Sequence, residues 1–143
     1  MGDHHDVVTQ VLQAYSDAVA ARDVEAFLAL YDDDVHLFDM WDRYQVTGID
    51  AWRELVVDWF GAHPGEALEA RFDDVRAVTG QDVAVAHMAM TFAIVAPGGE
   101  LSYEQRHRLT LALQRSNGAW KIVHEHSSMP ISNETNEGIL DAR

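Results

Sequence analysis

Cysteine is absent from the 143-residue chain, which excludes a disulfide scaffold, a thiolate zinc site, a cysteine nucleophile and thiol redox chemistry. Lysine is nearly absent. Lys121 stands alone, the remaining cations are arginines, and Schiff-base chemistry has little to work with. Positive charge as a whole is scarce: 10 Lys and Arg face 24 Asp and Glu, a formal net charge of −14. A field of that sign repels phosphate, so neither nucleic acid nor an anionic membrane surface is expected as a partner. No uncharged apolar run reaches the ~18 residues of a membrane-crossing helix. The start, Met1-Gly2-Asp3-His4-His5-Asp6, has no basic cluster and leads into no apolar run. A secretory leader is therefore not expected, and a cytoplasmic setting is.

What is present suits one globular domain. Hydrophobic residues make up 48% and charged residues 24%, and a chain of this length buries about two-thirds of its unfolded surface. Val8, Val11, Leu12, Tyr15, Ala18 and Val19 recur at helical spacing and predict a helix over 7–22. Asp23 reads as the N-cap of a shorter helix from Val24 to Tyr31. The acidic run Asp32-Asp33-Asp34 breaks that pattern, and a strand is expected over 35–41, with a short one through Val46. Ile49, Trp52, Leu55, Val56, Trp59 and Phe60 predict a third helix, closed by Gly61 and the loop His63-Pro64-Gly65. Beyond residue 66 the period becomes two, with strands expected near 67–79, 82–96, 101–115 and 119–128. Gly80-Gln81, Pro97-Gly98-Gly99 and Asn117-Gly118 separate them. The order predicts an α+β fold, a curved sheet over a helix layer. The domain is expected over 1–130, with 131–143 a loosely held polar tail.

Asn117-Gly118 between two β-runs signals a two-residue hairpin. Counting outward pairs Leu113 with Ile122, Leu111 with His124, Leu109 with His126 and His107 with Ser128. The three histidines and Ser128 then share a face with the leucines, while Arg106, Arg108, Thr110, Glu125 and Ser127 take the other. A sheet face apolar at one end and polar at the other describes a pocket wall. A one-residue slip inverts such an assignment. In 82–96, Met88, Met90, Phe92 and Ile94 lie on one face and Val85, His87, Ala89, Thr91 and Ala93 on the other. Neither face is very polar, so both are expected to be covered, the outer one by the sheet of a second copy.

Tyr15, Arg22-Asp23-Val24-Glu25-Ala26-Phe27, Leu30 through Val35, Gly48 and Trp120 through Ser128 together resemble the nuclear transport factor 2-like superfamily, in its SnoaL-like and ketosteroid-isomerase-like branch. The last segment, Trp-x-Ile-x-His-x-His-x-Ser, also resembles the association domain of calcium/calmodulin-dependent protein kinase II. The resemblance implies a cone-shaped curved antiparallel sheet around three N-terminal helices, an apolar cavity at the wide end, and homodimers through the outer sheet face. It implies an apolar polyketide-, steroid- or aromatic-like ligand and cofactor-free isomerase, cyclase or hydrolase chemistry. Tyr15 falls on the tyrosine that hydrogen-bonds the developing enolate and Asp39 on the aspartate that shuttles the proton. The isomerases carry a protonated acid on the strand matching 101–115, where this chain has Leu109-Thr110-Leu111 and no carboxylate. His126 or His107 stands in as the second donor.

The expected catalytic group is thus Asp39, Tyr15 and His126, with Trp41, Trp59, His107, His124 and Ser128 as ligand contacts. His124 and His126 read as a hydrogen-bonding patch rather than a metal site, since no His-Glu-x-x-His helix supports one. A non-catalytic binding or assembly module stays open beside the enzyme.

Overall fold

Apolar residues at helical spacing form α1 (His4–Ala21) and α3 (Ile49–Gly61) in the computed structural model, which describes residues 4–141. The N-terminal residues 1–3, which bear on the expected absence of a leader, lie outside these, as do 142–143 of the tail. Val8, Leu12, Tyr15 and Val19 of α1 and Trp52, Val56 and Phe60 of α3 are buried against the sheet. Between these helices come α2 (Val24–Leu28), β1 (Tyr31–Phe38) and β2 (Val46–Thr47). Asp23 caps α2 by accepting from the Ala26 amide. Gly48 opens α3 at φ 88°, a conformation that favours glycine, and its amide donates to the Val35 carbonyl at 2.7 Å.

Four long strands follow, β3 (Ala67–Thr79), β4 (Val83–Val95), β5 (Leu101–Ser116) and β6 (Ala119–Ser128), in a sheet ordered β2-β1-β6-β5-β4-β3. Every pairing is antiparallel except β1 with β6. Phe27 centres the ring cluster between helices and sheet, with Tyr15 at 4.7 Å and Tyr31 and Phe60 at 5.3 Å between centroids. No helix among the described residues is long and apolar enough to cross a membrane.

Two local differences from the sequence expectation have tertiary causes. The second helix stops at Leu28, and Tyr31 with the acidic run belongs to β1. Pairing with β6 pulls this segment extended: Tyr31 lies opposite Ile122, and the Ile122 amide donates to the Leu30 carbonyl at 2.8 Å. The second difference lies in the β5–β6 hairpin. It turns at Asn117-Gly118, both residues at positive φ, and Ser116 faces Ala119. Leu113 still faces Ile122, but the next pair is Ala112 with His124, leaving Val123 as an extra residue.

From that bulge onward every β6 side chain is on the side opposite to the simple count. Thr110 faces His126 and Arg108 faces Ser128, so His124, His126 and Ser128 belong to the outer face, and Glu125 and Ser127 to the inner one. β1 stabilises this register from the other side. His36 stacks on His124 with centroids 5.2 Å apart, and the Phe38 ring meets His124 and His126 edge-on at 5.2 and 5.3 Å.

Arg22, just past α1 at φ 54°, fastens the helix layer to the loop after α3. Its guanidinium donates to the carbonyls of Phe60, Ala62, His63 and Glu66 at 2.6 to 2.8 Å. Those include carbonyls at the end of α3 that lack partners within the helix. Arg22→Ala should cost about 2–3 kcal/mol in urea unfolding, because charged hydrogen bonds to carbonyls are the stronger class. Arg22→Lys should recover under half of that, since one ammonium cannot reach four carbonyls. A stability change within error for Arg22→Ala would contradict the assignment.

Past Ser128 the chain folds back. Ile131 bridges Gly138, and the Leu140 carbonyl accepts from the Arg106 amide at 2.6 Å, along the edge of β5 that β6 has left.

Candidate active site

The inner sheet face and the helices enclose a cavity of about 530 Å³. Its apolar wall comes from α3 (Trp52, Leu55, Trp59) and from β4 (Met90, Phe92, Ile94). Its polar groups come from Tyr15 on α1, Asp39 at the end of β1, Tyr103, Gln105 and His107 on β5, and Glu125 and Ser127 on β6. Met40, Trp41, His63 and Leu109 complete the lining, with Trp41 and His63 themselves exposed. Among the described residues no Lys or Arg lines it.

Two carboxylates face this space. Glu125 is 4% exposed, lies opposite Leu111 and Leu37, and accepts a hydrogen bond from the Tyr31 hydroxyl at 2.6 Å. Burial pushes its carboxyl up to about 7; the Tyr31 hydrogen bond opposes this and the nearby Asp39 charge adds to it. Asp39 is half-buried. Burial raises it above the usual carboxylate range, against donors from Ser127 and from the Trp41 and Met40 backbone. Ser127 Oγ donates to Asp39 Oδ1 at 3.2 Å and accepts from the Met40 amide at 3.1 Å, which pins the carboxylate and the following loop to β6. Glu125 and Ser127 are two residues apart on one strand face, about 7 Å, so the two carboxylates border the same small volume.

Tyr15 lies beside them, with its hydroxyl held firmly protonated by burial and by the Glu125 and Asp39 charges. His107 is 7% exposed and its Nδ1 has no hydrogen-bond partner among the described residues; burial lowers its pKa to about 4. Trp52 Nε1 is likewise buried, on the side of the Tyr31 ring, whose centroid is 5.9 Å from its own. Among the described residues no group of three or more His, Cys, Asp or Glu is placed to hold a metal ion.

Of the residues expected from sequence, Tyr15, Asp39, Trp41, Trp59 and His107 line the cavity. His126, His124 and Ser128 do not, because the Val123 bulge turns them outward; there His124 donates to the His36 carbonyl at 2.7 Å and Ser128 accepts from Arg108. The places assigned to the two imidazoles are filled by Glu125 and Ser127, which the simple hairpin count puts on the outside. One mark of this is visible in the chain: the adjacent apolar pair Ile122-Val123 breaks an alternation of period two.

The comparisons with known proteins agree with this architecture. An NTF2-like protein of unknown function from Pseudomonas putida KT2440 is 26% identical, with a TM-score of 0.85 over 96% of this chain and 94% of that one. Aln2 from a Streptomyces species is 15% identical, with a TM-score of 0.76 over 89% of this chain and 92% of its own. The association domain of C. elegans CaMKII is 19% identical, with a TM-score of 0.70 over 87% of this chain and 95% of its own. No curated protein is significantly similar to the sequence. Residues 8–132 match the SnoaL-like domain, and with the helix-lined curved sheet described above this places the chain in the SnoaL-like family of the NTF2-like superfamily.

Proposed function

We propose that the protein binds an uncharged, largely apolar small molecule in the cavity and moves a proton on it without a cofactor. One observation carries this reading: two carboxylates in different environments, Asp39 and Glu125, share an apolar space with a protonated tyrosine. Environments that separate two carboxylates set up an acid and a base. Asp39, held by Ser127 and backbone amides, is the base that takes a proton from a carbon next to a carbonyl. Tyr15 and the protonated form of Glu125 are the donors toward the oxygen on which charge develops. Glu125 so takes the role assigned from sequence to His126.

A non-catalytic module is the second reading. Val83 and Val85 are 52% and 39% exposed on the outer face of β4, an apolar surface that the sheet of a second copy would cover. Two measurements separate the readings. Native mass spectrometry of the purified protein counts copies and retained ligand. Solvent deuterium uptake by a fused-ring aryl ketone then reads proton transfer. The enzyme predicts uptake well above the buffer rate at neutral pH; a ketone bound with uptake at the buffer rate leaves the binding module.

A further inference from the structure

Polar groups in the cavity are not confined to the carboxylate end. Along the inner face of β5, Leu111 lies opposite Glu125 and Leu109 opposite Ser127, after which come His107 and Gln105. At about 3.3 Å per residue, His107 stands about 7 Å and Gln105 about 13 Å beyond the Ser127–Asp39 level. Both are 7% exposed, and both face the cavity between the apolar side chains of Met90 and Phe92 on β4.

Among the described residues neither side chain has its full hydrogen-bonding capacity met. The Tyr103 hydroxyl donates to Gln105 Oε1 at 2.8 Å, which orients the amide and leaves its N–H groups for the cavity. His107 Nδ1 has no partner among the described residues. That nitrogen is closed off even to water, so the ring nitrogen the cavity can reach is Nε2, which no protein group bonds among the described residues.

We infer that Gln105 and His107 form a second subsite, which takes an uncharged hydroxyl group of the ligand at the end remote from Asp39 and Glu125. This inference rests on the cavity being a ligand site, as proposed above. A hydroxyl both donates and accepts, so it pairs with His107 Nε2 in either neutral tautomer and still accepts from the Gln105 amide. A carboxylate in the same place would be buried in a cavity that holds two acids and no Lys or Arg. An ammonium group offers the Gln105 amide no acceptor. Burial also keeps His107 uncharged at neutral pH, so it gives an anion no compensation. The ligand that fits is elongated, with a carbonyl at one end and a hydroxyl at the other, separated by about two or three fused rings on the β5 ruler.

Three probes test this by calorimetry: acetylnaphthalene, the same ketone with a hydroxyl at the far end of the ring system, and the same ketone with a carboxylate there. The hydroxylated ketone should bind about tenfold more tightly than the parent, one net hydrogen bond's worth. The carboxylate should bind more weakly than both. In His107→Phe and Gln105→Leu the ratio of the two affinities, hydroxylated ketone to parent, should fall toward one. Nitrogen NMR of the His107 ring in the unaltered protein should shift with the hydroxylated probe and not with the parent. That measurement needs no variant to fold. Equal affinity for both ketones in the unaltered protein, or an unmoved His107 signal, overturns the subsite and leaves the cavity reading standing. Failure of both ketones to bind overturns the cavity reading and the subsite with it.

Discussion

Glu125→Gln is expected to make the protein more stable at and above neutral pH, by about 3 kcal/mol relative to the unaltered chain. The cause is the carboxyl buried opposite Leu37 and Leu111, whose pKa is about 7 in the fold against 4.5 for the free group. Below pH 4.5 it is protonated whether the chain is folded or not. Between 4.5 and about 7 the unfolded chain releases the proton and the folded one retains it, so stability falls as pH rises, and above about 7 the loss is complete. Glutamine can still accept from the Tyr31 hydroxyl but carries no proton to lose. Urea unfolding over a pH series checks this, and a Glu125→Gln curve parallel to that of the unaltered protein would contradict it. His107 supplies the mirror image. Its folded pKa of about 4 lies below the free value of 6.5, so its contribution is present above 6.5 and lost as pH falls to about 4. His107→Phe should remove that acid-side loss, and it too is about 3 kcal/mol. The two gradients oppose each other, which makes the unaltered protein flatter with pH than either variant.

Asp39→Asn is expected to lower the rate of deuterium uptake into a bound ketone by about a hundred- to ten-thousandfold, the usual worth of a positioned base. The amide keeps the size of the side chain and its contact with Ser127, so affinity for the ketone should be little changed. A loss in rate without a loss in binding identifies a group that acts on the proton rather than on the skeleton. Ser127→Ala gives the companion result. Without the Ser127 donor the Asp39 carboxylate is less well stabilised, so the acid limb of the pH–rate profile should move upward, since that hydrogen bond holds the pKa down. Uptake undiminished in Asp39→Asn would remove Asp39 as the base.

Much of the architecture is legible in the chain because local chemistry and tertiary structure agree there. Gly80, Pro97-Gly98-Gly99 and Asn117-Gly118 separate β3, β4, β5 and β6, and Met88, Met90, Phe92 and Ile94 face inward as their period requires. Where the two disagree, tertiary pairing prevails: the acidic run after Tyr31 looks like a loop but is drawn into β1 by β6. The cavity residues divide in the same way. Tyr15, Asp39 and His107 are placed by helical period, strand end and strand parity, each of them local. Glu125 is placed by an extra residue at 123, and only the pairing of β5, β6 and β1 reveals on which strand that residue is spent. The resemblance points to β5 for a second acid, whereas the buried one lies on the neighbouring strand.

The bulge at Val123 also decides which of two chemistries the hollow holds. A strand that alternates two imidazoles with a carboxylate and a hydroxyl holds two possible linings in a single stretch of ten residues. Loss of the extra residue at 123 would exchange them, at the expense of the His36 and Phe38 ring contacts with β1. Without the extra residue the same vessel would carry a base-rich interior in place of an acidic one.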